Sequence, residues 1–162
     1  CIDAAAPGAV IEFGGGTGSI TQALLRVVGA QGLYVIEREP SLSAMLQKRW
    51  PSLHVFCADV REVKTLAADS GVVRVKAVVS GLPLLSMDLK LRRQILRAAF
   101  DVLAPGGVFV QFTYGPNSPI PEPLCRRLGI VARRVKWVVS NVPPAAVWEY
   151  RRVSDHRAPH IG

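Results

Sequence analysis

Glu12-Phe13-Gly14-Gly15-Gly16-Thr17-Gly18 decides how the chain is read, because it stands between a strand-like run and a helix-like one. Upstream, Ala9 to Phe13 is a short apolar run carrying one acid. Downstream, Ile20, Ala23, Leu24, Val27 and Val28 recur at helical spacing, and Gly29 supplies a stop. Glycines at 14, 16 and 18 let the backbone turn tightly and admit a ligand where a Cβ would obstruct it. The mouth of a parallel sheet is where α/β proteins bind ligands. The dinucleotide fingerprint is GxGxxG, and taking Gly14 and Gly16 as its first two glycines puts Ser19 where the third belongs. The spacing here is ExGxGxG instead.

Working outward, strand-like and helix-like periodicities alternate. Leu33 to Ile36 predicts a second strand, and Pro40-Ser41 starts a helix with an apolar stripe of Leu42, Met45 and Leu46 that stops at Trp50-Pro51. Leu53 to Cys57 predicts a third strand, residues 60 to 72 one or two helical turns, and Lys76 to Ser80 a fourth strand. A helix from about Asp88 to Leu103 presents Leu91, Ile95, Leu96, Ala99, Val102 and Leu103 on one stripe and Lys90, Arg92, Arg93 and Arg97 on the other side. Ala104-Pro105-Gly106-Gly107 ends it, and Val108 to Tyr114 predicts a fifth strand. Pro116, Pro119, Pro121 and Pro123 predict an extended loop. Ile130 to Val139 and Ala146 to Val153 read as an antiparallel pair around Asn141-Val142-Pro143-Pro144. The fold class expected is α/β, a mostly parallel sheet with an antiparallel C-terminal strand pair.

The 162 residues, 49% of them hydrophobic, predict a single domain over 1–162 with a core that needs no disulfide or metal staple. No stretch approaches the roughly 18 apolar residues of a spanning helix. Cys1, Cys57 and Cys125 are far apart, with no CxxC and no neighbouring His pair, so they read as reduced thiols of a cytoplasmic protein and no metal site is expected. The first residue is Cys1 and a strand follows within nine residues, which predicts that a native N-terminal segment precedes this chain. A net charge of +8 draws a domain to polyanions, nucleic acid or an anionic membrane.

ExGxGxG, opening with an acid on the first strand, resembles motif I of the class I methyltransferases that use S-adenosylmethionine, and with it their Rossmann-like sheet. That donor carries no pyrophosphate; its methionine end has an ammonium, which an acid such as Glu12 can balance, and a carboxylate, which backbone N–H groups can face. Glu37 ends the second strand nineteen residues after Gly18, where an acid can accept both ribose hydroxyls. Nicotinamide enzymes place an acid at a similar offset, and a solvated charge beside Arg38 and Glu39 is the plain alternative. Asp59, in Cys57-Ala58-Asp59 after the third strand, matches the acid that members place against the adenine amino group, with neighbouring backbone at the ring; its alternative is a helix N-cap before Val60-Arg61-Glu62. The cofactor set implied is Glu12, Gly14, Gly16, Thr17, Gly18, Glu37, Arg38, Ala58, Asp59, Val60 and Ser80.

Ser80-Gly81-Leu82-Pro83 ends the fourth strand, where that fold presents its methyl acceptor. Adenine and amine methylases often carry Asn/Asp-Pro-Pro-aromatic or Asn-Leu-Pro-Tyr there. Ser80 and Leu84 replace the amide and the aromatic, which counts against a flipped nucleobase. Val79-Ser80-Gly81-Leu82-Pro83-Leu84-Leu85, Leu103-Ala104-Pro105-Gly106-Gly107, Val110-Gln111-Phe112-Thr113-Tyr114-Gly115-Pro116 and Asn141-Val142-Pro143-Pro144-Ala145-Ala146-Val147-Trp148 are similar to strings of the bacterial phospholipid N-methyltransferase family. The resemblance runs from about residue 9 to 152. It implies methylation of the phosphatidylethanolamine headgroup, and of its mono- and dimethyl products, toward phosphatidylcholine, by an enzyme held peripherally at the cytoplasmic side of the inner membrane. Members usually have an N-terminal amphipathic helix, which is expected to lie in the segment preceding Cys1. Ser80, Gly81, Leu82 and Pro83 are the residues expected to hold the amine, with Tyr114 as a polar aromatic contact; a packing role for Tyr114 stands beside this. His54, His156 and His160 read as surface residues.

Two other readings stay open: an RNA adenine N6-dimethyltransferase, and a nonenzymatic basic module for membrane or nucleic acid. A nicotinamide oxidoreductase is disfavoured by the glycine spacing. From residue 126 on, Arg126, Arg127, Arg133, Arg134, Lys136, Arg151, Arg152 and Arg157 face only Glu149 and Asp155. This excess, with the basic row of the Asp88 to Leu103 helix, is expected to bind anionic lipid.

Overall fold

The structure, a computed structural model, describes residues 2–114, 117–138 and 145–153. Seven strands form one sheet in the order β3-β2-β1-β4-β5-β7-β6. β1 (Ala9–Phe13), β2 (Leu33–Glu37), β3 (His54–Cys57), β4 (Val75–Ser80) and β5 (Leu103–Tyr114) run parallel. β7 (Ala145–Arg152) lies antiparallel between β5 and β6 (Ile130–Val138). The α/β class and the antiparallel C-terminal pair expected from the sequence are therefore present. The chain winds outward from β1 through β2 and β3, then crosses back to β4. The crevice beyond the C-terminal ends of β1 and β4 is thus the switch point where open α/β sheets take ligands.

Strand alternation loads both faces of the sheet. Ile11, Phe13, Val78 and Phe109 pack under α3 (Val63–Asp69), α4 (Leu89–Val102) and α5 (Glu122–Leu128). Val10, Val35, Val79 and Val110 pack against α1 (Ser19–Val28) and α2 (Pro40–Arg49) through Leu24 and Leu46. Tyr150 on β7 is fully buried against Phe109, and its hydroxyl meets Ser118 Oγ at 2.7 Å. Burial pushes that phenol well above its usual range despite the Ser118 bond. One polar contact thereby ties the proline-rich segment to the sheet.

Two expectations need correction. The proline-rich stretch is not loop throughout: α5 begins at Glu122 with Pro123 in its first turn. Proline is tolerated there because its missing N–H would have no helical partner. Nor does β5 wait until Val108: Val75 pairs with Leu103 and Ala77 with Val108, so Ala104 to Gly107 form an irregularity inside the strand, with Gly106 at φ 77°. Residues 60 to 72 resolve into a 3₁₀ turn, Val60–Glu62, followed by α3. The turn at Asn141 to Pro144, Gly115-Pro116, Cys1, Arg157, His156 and His160 lie outside the described residues. Among the described residues, no helix is long and apolar enough to cross a membrane.

Candidate active site

The glycine loop leaves β1 with Gly14, Gly16 and Gly18 at φ 77°, 52° and 88°, left-handed values that disfavour any side chain. At Gly18 there is also no room: a Cβ would lie 2.7 Å from the Trp50 ring, which closes α2 over the loop. Gly16 is the opposite case, its Cβ direction open with nothing within 4 Å. The loop is packed on one side and bare on the other.

Glu37 braces it. One carboxylate oxygen accepts the Gly16 N–H and the other the Glu39 N–H, both at 2.9 Å. The side chain is only 8% exposed, so it is not the solvated charge its Arg38 and Glu39 neighbours allowed. Glu37, exposed Arg38, Asp59 and buried Val60 line one cavity of about 360 Å³ with Gly14, Leu82 and Pro83. Residues that the sequence placed at the ends of β1, β2, β3 and β4 are thereby brought to one hollow. Ala58 joins through its N–H, donated to the Glu37 carbonyl at 3.2 Å.

Asp59 takes the N-cap place and also reaches the cavity. Its side chain caps the 3₁₀ turn through the Arg61 N–H in a reciprocal box with Glu62, and it also lines the cavity. Arg61 hydrogen-bonds it and pairs with it at 2.8 Å, which lowers its pKa against a smaller opposing effect of burial. The group is therefore a standing acceptor at neutral pH. Thr17 is exposed at the loop tip, its carbonyl accepting from Arg49 at 3.5 Å.

Glu12 lies on the α1 face of β1, fully buried, and neither carboxylate oxygen has a hydrogen-bond partner. Desolvation pushes its pKa to about 8. Thr21 on α1 bears on it and favours ionisation without reaching hydrogen-bonding geometry, while the Glu37 charge opposes ionisation. A carboxylate left bare beside a ligand loop is what a cationic group would satisfy. Together, the orphan acid, the open side of Gly16 and two acceptors in the cavity fit S-adenosylmethionine: an ammonium, a carboxylate, a ribose diol and an exocyclic amine.

The acceptor segment is held from three sides. Gly81 N–H donates to the Phe13 carbonyl at 3.0 Å, Leu82 N–H to Ser80 Oγ at 3.3 Å, and Gln111 Nε2 to the Leu82 carbonyl at 2.9 Å. Ser80 is fully buried, so its hydroxyl is turned into the loop. Leu82 and Pro83 reach the cavity, but Gly81 and Tyr114 line a different, apolar hollow of about 510 Å³ on the α1 face. Tyr114 is 65% exposed, and the structure does not bring it to the Glu37 and Asp59 cavity. His54 stacks on Tyr34 at 4.6 Å between ring centroids. Sequence reasoning missed Gln111 and Thr21, both fully buried polar residues; the signal for Gln111 was a polar residue inside an apolar run, and Thr21, between Ile20 and Gln22, gave none.

Residues 10–107 match the methyltransferase domain family. Over 111 residues the chain is 36% identical to an ornithine lipid N-methyltransferase of Singulisphaera acidiphila, a match covering 66% of this chain and 58% of that protein. The chain thus spans little more than half the length of this relative. The structure is similar to 1,6-didemethyltoxoflavin-N1-methyltransferase of Burkholderia thailandensis, with TM-score 0.63 at 18% identity over 90% of this chain and 72% of that one. It is similar also to magnesium protoporphyrin IX methyltransferase of Synechocystis PCC 6803, with TM-score 0.66 at 11% identity over 90% and 70%. These likenesses show the fold, and the match over 10–107 gives the lineage: the chain belongs to the methyltransferase domain family, within the class I S-adenosylmethionine-dependent superfamily.

Proposed function

We propose that this domain methylates the primary amine of a membrane lipid headgroup, with phosphatidylethanolamine as acceptor on the way to phosphatidylcholine, at the cytoplasmic surface of the inner membrane. The observation that carries the lipid is the 36% identity to an ornithine lipid N-methyltransferase. Ornithine lipid and phosphatidylethanolamine both offer a primary aliphatic amine on a diacyl anchor. Bound S-adenosylmethionine supplies an activated methyl on a sulfonium. The chain's own part is positioning: Glu37 and Asp59 offer acceptors for the nucleoside end, and the braced Ser80–Pro83 backbone fixes where an amine can approach. Near-attack placement of that kind is worth several powers of ten in rate. The absence of an amide and an aromatic at Ser80 and Leu84 leaves a nucleobase without its usual grip.

Full-length protein given labelled donor should label vesicles containing phosphatidylethanolamine and leave adenine-bearing RNA unlabelled. Label only on ornithine lipid would move the acceptor within the lipid amines, and label only on RNA would overturn the reading. Gln111→Leu, which frees the Leu82 carbonyl, is expected to lower kcat about tenfold with donor Kd changed less than about twofold. An equal loss in both would make Gln111 a general packing residue.

A further inference from the structure

Several of the arginines counted from residue 126 on are engaged within the protein. Arg133 and Arg151 both engage the buried Glu149, at 3.3 and 2.9 Å. Arg126 pairs with Glu122, and Arg152 donates to the Phe100 carbonyl at 3.0 Å. On α4, Arg92 is spent on three carbonyls, Met87, Pro119 and Leu85, each at 2.9 Å. Those bonds clamp the turn before α4 to the proline-rich segment.

Arg127 of that count stands instead with two cations of α4. Lys90, Arg93 and Arg127 stand around a groove of about 440 Å³ between α4 and α5, bedded on Leu89, Pro121, Pro123 and Leu124. None of the three makes an ion pair or a side-chain hydrogen bond among the described residues. Leu89 is 58% exposed, and Leu85, in the turn that Arg92 clamps, is 49% exposed. That turn follows directly on Leu82 and Pro83, which line the donor cavity, as do Met87 at the end of the turn and Leu91 in the first turn of α4.

We propose that this α4–α5 groove is the surface that docks on an anionic phospholipid bilayer, with Lys90, Arg93 and Arg127 on lipid phosphates and Leu85 and Leu89 entering the headgroup boundary. The inference rests on the lipid-amine reading and adds the face and orientation of the encounter. Charge complementarity and the apolar bed select the partner together. Cations over exposed leucines match an interface where apolar side chains gain by entering and cations by meeting phosphate. Nucleic acid would answer the cations but gain nothing from Leu85 or Leu89, and among the described residues no aromatic side chain lines the groove for a base to stack on. Docked this way, the bilayer lies beside the Ser80–Pro83 segment, so an amine headgroup reaches the donor without leaving the membrane.

The test is flotation of the full-length protein with phosphatidylcholine vesicles containing phosphatidylglycerol. Lys90→Gln/Arg93→Gln/Arg127→Gln is expected to lose roughly 100-fold in partition, from about fivefold per cation near an anionic surface. Leu85→Ser/Leu89→Ser should lose binding that persists at high salt. Arg26→Gln/Lys48→Gln/Lys64→Gln removes the same charge from exposed positions on three other helices and should stay within about threefold of wild type. Equal losses in the two triple variants, or wild-type binding in the first, would overturn the proposal, as would tighter binding to duplex RNA with the same sensitivity. Donor affinity measured alongside should be unchanged in all variants. If the groove variants lose vesicles while wild type methylates no lipid amine, the docking surface stands and the proposed acceptor falls.

Discussion

Glu12→Gln is expected to stabilise the fold and weaken the donor site in one step. Glu12 is fully buried, and its pKa is raised from 4.5 to about 8. Between those values the unfolded chain releases a proton that the folded chain keeps, so stability falls as pH rises through that window and levels off above it. At about 1.4 kcal/mol per pH unit, the ionised acid costs the fold roughly 4 to 5 kcal/mol by pH 8. A neutral amide of the same shape carries no such pH dependence. The variant's Tm should match wild type near pH 4.5 and exceed it by about 10 °C at pH 8, followed by circular dichroism. A constant offset across that range would mean the site hydrates its charge. Donor binding should move the other way. A charge-assisted bond is worth about 1.5 to 3 kcal/mol, so calorimetry above pH 8 should show Kd for S-adenosylmethionine raised about 10- to 150-fold. Wild-type affinity should itself decline as pH falls below 8, because the acid must then ionise to answer an ammonium. Unchanged affinity in the variant would remove Glu12 from the site.

The sequence showed the part of this site that depends on local rules. A glycine loop between strand and helix, and an acid after each of the next two strands, are legible because each is fixed by strand ends and spacing. Glu37 was found that way, but its bonds to Gly16 and Glu39 were not, since they depend on a long-range approach of β2 to the loop. Gln111 was hidden because period-two burial treats every residue of an apolar run alike. Its importance comes from Ser80 lying opposite it in register and from the Leu82 carbonyl beyond. Tyr114 stands apart from the Glu37 and Asp59 cavity by parity: it shares Phe112's face of β5, whereas Gln111 faces the other way. α5 was obscured by its prolines, which block a helix interior yet suit a first turn. The basic C-terminus was legible as a count only, because one buried acid, Glu149, holds two of its arginines. Burial raises the pKa of that acid, and the Arg151 and Arg133 bonds and charges more than reverse the effect, so it stays ionised at neutral pH.

Glu37→Ala is expected to reduce donor affinity by about two to three orders of magnitude, the largest loss from any single cavity residue. Two effects act together. The Gly16 and Glu39 N–H groups lose the acceptor that shapes the loop, and the cavity loses the acceptor available to a ribose diol. At about 1.5 to 3 kcal/mol for each bond to a charged group, two lost ribose bonds give roughly 10²- to 10⁴-fold. Loop disorder alone would also weaken binding, so affinity for one ligand does not separate the effects. A cycle with a 2′-deoxy donor analogue does, because it removes the ligand's side of the same bond. Wild type should bind the deoxy analogue at least about tenfold more weakly than S-adenosylmethionine, whereas Glu37→Ala should bind the two alike. If the alanine protein still discriminates as strongly, Glu37 shapes the loop and the ribose is held by another residue. Glu37→Gln refines the result: one amide oxygen can serve only one of the two backbone N–H groups fully, so its affinity should fall between those of the other two proteins.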